Sequence, residues 1–169
     1  MKETKSKIRL YGDTTLRKRA KPVKTVTAAE KKIFEKMLET MREEGGIGLA
    51  APQIGISKQL LVVEVGNEVF MIANPKITKM TGCDSLEEGC LSFPEVAIKI
   101  KRPKKISLTC LNENNCAIEI EADDIIARAI QHEMDHLKGK LIVDYASLAD
   151  KIRLKKKLDV IKKKSKQGR

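Results

Sequence analysis

Ile33, Phe34, Met37, Leu38 and Met41 recur at intervals of three and four residues, the spacing of one face of a helix. Thr27 followed by Glu30 is a capping box that opens this helix, and Gly45-Gly46 closes it. The period then shortens. Residues 59–65 (QLLVVEV) and 68–74 (EVFMIAN) flank a Gly66-Asn67 turn and predict a β-hairpin ended by Pro75. Val96, Ile98 and Ile100 alternate with polar neighbours, as in a half-buried strand. Residues 105–111 (KISLTCL) and 117–122 (AIEIEA) predict a second hairpin across NENN. A second helix is predicted from near Asp123 to Lys138, with Gly139 as its C′ residue. A third begins near Ser147 and carries Leu154, Leu158 and Ile161 on one stripe. Strands in the middle and helices at the ends predict an α+β fold: antiparallel or mixed β-sheets packed around a central helix, with a C-terminal helix.

The chain of 169 residues fits a single domain spanning 1–169, with 147–169 as a terminal helix or tail. No apolar run approaches the ~20 residues of a membrane span. The start, MKETKSKIRL, is polar and has no secretory h-region, so a cytoplasmic location is expected. Four irregularly spaced cysteines (Cys83, Cys90, Cys110, Cys116) fit a reduced setting better than a disulfide framework. Of the net charge of +11, Lys151 to Arg169 contribute about +9, so the body is nearly neutral and the tail is an appended basic element. The lysines of that tail either solvate a docked helix or seek phosphate. No aromatic residue interleaves with them, which argues against sequence-specific nucleic-acid reading.

The chemistry concentrates in QHEMDH. His132 and His136 are the only histidines, and four-residue spacing puts them on one helical face behind Ile125 and Ala129. Two histidines so spaced read either as half a metal site or as a satisfied core pair matching the pattern by chance, and on the first reading Glu133 beside them is a candidate general base. No glutamate or third histidine follows Glu133 to complete a downstream ligand set. Asp144 and Asp150 stay open as alternatives, but Cys90, between Gly89 and Leu91, is the stronger candidate. A cysteine alone also reads as a small buried hydrophobe. A thiolate with two imidazoles and an open fourth position makes a catalytic centre.

GIGLAAPQIG (46–55), EGCLS (88–92) and QHEMDH (131–136) resemble the three signature motifs of peptide deformylases. They stand in the family's order, and the likeness runs from about Ile8 to GKLIVDY near Tyr145. The resemblance implies that Cys90, His132 and His136 bind the metal with water as fourth ligand. It implies that Glu133 acts as base and then acid, and that the Gln53 side chain and Leu91 N–H stabilise an oxyanion. The reaction is then hydrolysis of the formyl group from N-formyl-methionyl nascent peptides, releasing formate. Gly48 would contact substrate through its backbone, while Ile47, Leu86, Ile125 and Ala129 would wall a methionine pocket. Cys and His suit Zn²⁺, Fe²⁺, Co²⁺ or Ni²⁺; the family favours Fe²⁺ in the cell, the others being replacements. The basic tail resembles, in position and charge, the helix by which family members contact the ribosome. Glu88 and Arg102 read either as an ion pair behind the site or as unrelated surface charges.

Two positions depart from the family pattern: Thr14 stands where an Asp-Pro pair is usual, and Ala97 where some members carry arginine. The first touches local turn geometry, the second contacts beyond methionine. Two other readings compete: a zinc metallopeptidase with a downstream third ligand, and a non-catalytic ribosome- or RNA-binding module with a structural metal. A purely structural site has no need of Glu133.

Overall fold

The predicted capping box forms. In the computed structural model, which describes residues 6–167, Thr27 opens helix α1 (Ala28–Glu43). Its hydroxyl accepts from the Ala29 N–H, and Glu30 Oε2 accepts from the Thr27 N–H at 2.9 Å. The opening residues 1–5 and the tail's last two residues, Gly168 and Arg169, lie outside the described residues. The Lys58 ammonium, 2.6 Å from Glu30 Oε1, and the Thr27 donors together hold the Glu30 carboxyl down at about 2. A depressed folded pKa stabilises above the ordinary value of 4.5, and that contribution is lost as pH falls toward 2. Glu30→Gln is therefore expected to cost about 1 kcal/mol at pH 7, Lys58 being partly solvated. Urea melts of the metal-free proteins should show the gap closing by pH 2–3.

The chain continues through β1 (Gly48–Ala50), β2 (Leu60–Val65), β3 (Glu68–Thr81), β4 (Asp84–Cys90), β5 (Phe93–Arg102), β6 (Lys105–Leu111) and β7 (Ala117–Asp123). Helix α2 (Asp124–Leu137) and helix α3 (Leu148–Gln167) complete it. Five strands form one sheet in the order β1-β2-β3-β6-β7, and β4-β5 form a separate hairpin. Every strand pair named is antiparallel.

The run LLVV is apolar on both sides because both sheet faces are covered. Leu60 and Val62 pack toward α1 with Phe34, Met37 and Met41. Leu61 and Val63 point the other way, toward Ala127, Ile130, Met134 and Leu137 of α2. Alternation with a period of two thus seats α2 against the larger sheet. A third apolar cluster unites Val96, Ile98 and Ile100 of β5 with Leu154 and Ile161 of α3, so the predicted α3 stripe docks against the smaller hairpin. Ser165 adds a hydrogen bond to the Leu10 carbonyl at 3.3 Å. No described helix is long and apolar enough to cross a membrane.

One expectation needs correction. Pro75 does not end its strand: β3 runs on to Thr81, passing a register shift between Ala73 and Lys76. Asn74 adopts φ 51° there, and its side chain bonds both the N–H and the carbonyl of Val23. A bulge is where a sheet tolerates proline. Glu88, Gly89 and Cys90 of the EGCLS segment close strand β4, whose polar residues show no alternating apolar pattern.

Candidate metal centre

Helix α2 enters from Asp123 and ends with Gly139 at φ 73°, as its C′ glycine. Its inner face carries Ala129, His132 and His136, all buried. The β4–β5 hairpin brings Cys90 against that face at a register break between Gly89 and Cys90. Cys90 Sγ lies 3.3 Å from His136 Nε2, and one ligand atom each from Cys90, His132 and His136 falls within 4.8 Å of the others. Asp144 is instead bonded to Arg17 and the Leu141 N–H, and Asp150 to Ser147 and Arg153. The downstream ligand set of a metallopeptidase is therefore not assembled.

The donor set fits a divalent transition metal: one soft sulfur and two imidazoles, converging from a hairpin and a helix. Among the described residues, Glu133 Oε2 and His136 Nδ1 are buried polar atoms with no hydrogen-bond partner. Unpartnered polar atoms beside a convergent donor set fit a metal-binding centre. Burial pulls His132 down, yet Cys90 and Glu88 raise it well above its ordinary value, so positive charge is favoured between them. Burial drives His136 the other way, well below 6.5.

Glu88 and Arg102 are the ion pair behind the site. Arg102 Nε and Nη2 fork onto the Glu88 oxygens at 2.6 and 2.9 Å, and Glu88 Oε2 faces His132 Nδ1 at 3.0 Å. Arg102 Nη1 continues to Asp135 Oδ2 at 2.9 Å, which also accepts from the Tyr145 hydroxyl at 2.6 Å. Burial would raise the Glu88 carboxyl, but His132 and Arg102 overcome it and hold it at about 2. A fixed carboxylate on Nδ1 orients the ring and leaves its other nitrogen for the metal.

Glu133 is only 4 % exposed, and burial pushes its carboxyl up to about 7 against the pull of His132 and Arg102. Gly48 is required opposite it: a Cβ there would sit 2.5 Å from Glu133 Oε1. Gln53 is fixed from behind by the Ala50 N–H, which donates to its Oε1 at 2.8 Å. Its Nε2 is thereby aimed at Ser92 Oγ (3.2 Å) and Cys90 Sγ (3.6 Å). Leu91 follows Cys90 in the β4–β5 turn.

A cleft of about 690 Å³ opens onto this centre, lined by Ile47, Gly48, Gln53, Cys90, Leu91, Ile125, Ala129, His132 and Glu133 among others. Ala97 also lines it. Leu86 does not: on β4 it pairs with Ile100 of β5, lies outside the lining and is half-exposed. Sequence reasoning missed Arg128, Asp135, Tyr145 and Ser92. Arg128 alone had a signal, lying one turn before His132 on the ligand side of α2.

A solvent-open cleft ending in a Cys-His-His donor set, with a buried carboxylate beside it, defines the class as a metal-dependent hydrolase. The sequence pattern of the polypeptide deformylase family matches residues 5–152. The peptide deformylase of Thermotoga maritima is 46% identical over 153 residues, covering 90% of this chain and 93% of that protein. That of Buchnera aphidicola is 46% identical over 164 residues, covering 95% of each. Among solved structures, the Legionella pneumophila peptide deformylase superposes with a TM-score of 0.89 at 37% identity, covering 95% of this chain and 96% of that one. The Synechococcus elongatus peptide deformylase, solved in complex with actinonin, gives 0.86 at 36% identity, covering 95% and 88%. The chain belongs to the peptide deformylase family.

Proposed function

We propose that Cys90, His132 and His136 hold one divalent metal ion, and that around it Glu133, Gln53 and Leu91 remove the formyl group from N-formyl-methionyl nascent chains. The observation that carries this reading is the convergence of three donor atoms within 4.8 Å beside a buried, unpartnered Glu133 oxygen. When bound, the ion lowers the pKa of a water to near neutrality and polarises the formyl carbonyl. Glu133 Oε2 takes the proton of the attacking water and returns it to the departing amine nitrogen as the formyl C–N bond breaks. The water oxygen leaves in formate. Gln53 Nε2 and the Leu91 N–H donate to the negative charge that develops on the formyl oxygen. The backbone of Gly48 holds the peptide, and Ile47, Ile125 and Ala129 enclose the methionine side chain.

One domain carries the whole centre, with α3 as its basic appendage. Fe²⁺ is the proposed ion in the cell, replaceable by Zn²⁺, Ni²⁺ or Co²⁺. An iron–thiolate pair makes Cys90 oxidisable, so preparation without air is required. The lysines of α3 give a salt-dependent contact with the ribosome, without base reading, in the cytoplasm.

The test is incubation with a formyl-Met peptide under anaerobic conditions. Formate release without internal cleavage is expected, whereas internal cleavage would move the reading to a peptidase. Gln53→Ala should lower kcat by about 10²–10³ with little change in metal content, since one oxyanion donor is lost. Unchanged kcat in that variant would remove Gln53 from the mechanism.

A further inference from the structure

Arg128 is a buried charge that the proposed reaction does not use. It is 5 % exposed, yet it contributes to the cleft wall one turn before His132. Its Nη1 donates to Glu88 Oε1 at 2.7 Å and to the Ile100 carbonyl at 3.0 Å. Its Nη2 donates to the Asp84 carbonyl at 3.3 Å and to the Asp84 carboxylate. Every one of these acceptors lies on β4 or β5, whereas Arg128 stands on α2. The guanidinium therefore ties the helix that carries His132 and His136 to the hairpin that carries Cys90.

The contact with Glu88 has a second consequence. Glu88 Oε1 receives both Arg102 Nε and Arg128 Nη1, so the Arg102 fork and one Arg128 N–H hold one carboxylate from different elements. Arg102 makes one tie between the hairpin and α2, through Asp135 near the end of the helix. Arg128 adds a second tie about two turns earlier on the helix, to Asp84 and the Ile100 backbone, and two separated ties resist rotation of the hairpin about either one. Glu88 Oε2 is then held against His132 Nδ1.

We propose that Arg128 is a positioning residue of the metal centre: it locks Glu88 and joins α2 to β4, keeping His132 and Cys90 in ligating register and slowing metal escape. The proposal rests on the reading of Cys90, His132 and His136 as ligands. The hydrogen bonds of Arg128 go to Glu88, Ile100 and Asp84 rather than to the three, so its effect passes through Glu88 and the hairpin.

The experiment follows release of Zn²⁺ from the zinc-loaded full chain into excess chromogenic chelator, well below the melting temperature. Arg128→Met, which keeps the length of the stem, is expected to release zinc about 10-fold faster than wild type, the low end for an outer-sphere partner. Phe34→Leu in the α1 cluster serves as a stability control and is expected to release at the wild-type rate. Wild-type release in a folded Arg128→Met protein, or equal acceleration in a Phe34→Leu protein of similar melting temperature, overturns the proposal. Should Arg128→Met fail to fold, Asp84→Asn removes the far anchor; faster release there supports the proposal and an unchanged rate overturns it. A wild-type chain that takes up no zinc would instead overturn the ligand reading, and this inference with it.

Discussion

Glu133→Gln is expected to lower formate release by about 10⁴-fold, the upper end for one general acid–base group, while the bound metal stays. The upper end follows from the proposed role, in which one carboxylate serves both proton transfers, and from its Oε2 having no other hydrogen-bond partner. Stability should move the other way. The charged form of Glu133 is held in a buried site that pushes its carboxyl up to about 7, so a neutral amide of the same shape relieves a desolvation cost. The fold and the ligands are therefore expected to survive a substitution that removes turnover. Metal content, melting temperature and kcat measured on one preparation check this. A variant keeping a tenth of wild-type kcat would show that another group moves the protons.

That combination of dispensable for folding and indispensable for turnover also marks what the sequence could reveal. Local signals were readable wherever one element decides its own form. The Thr27–Glu30 box set α1, the four-residue spacing set the ligand face of α2, and Leu154, Leu158 and Ile161 set the docked side of α3. Strand β4 was not readable, because Asp84 to Cys90 are ordered by pairing with β5 rather than by any alternation of their own. The passage of β3 through Pro75 depended on Val23, far away in sequence, satisfying Asn74. Arg128 reads from sequence as one more charge on a helix; its acceptors Asp84, Glu88 and Ile100 lie 44, 40 and 28 residues away. The motifs named the candidate reacting groups, but the groups that hold them still required the fold.

Cys90→Ala should strip the centre of metal. The affinity loss should exceed the roughly 100-fold that losing an outer partner costs, because a bond to the ion itself is removed. What remains is an imidazole pair on one helix, with their ring centroids 5.2 Å apart and, among the described residues, no third donor grouped with them. Asp144 and Asp150 cannot substitute without abandoning Arg17 and Arg153. Cys90→Ala is expected to fold, since alanine is a small apolar replacement at a half-buried site packed against the Leu16–Phe93 cluster. Metal analysis after gel filtration, with circular dichroism on the same sample, gives the answer. Loss of metal from a folded protein places the thiolate in the centre and accounts for inactivity without misfolding. Full metal retention would mean that the histidines find another partner, and the hairpin's role in ligation would have to be given up.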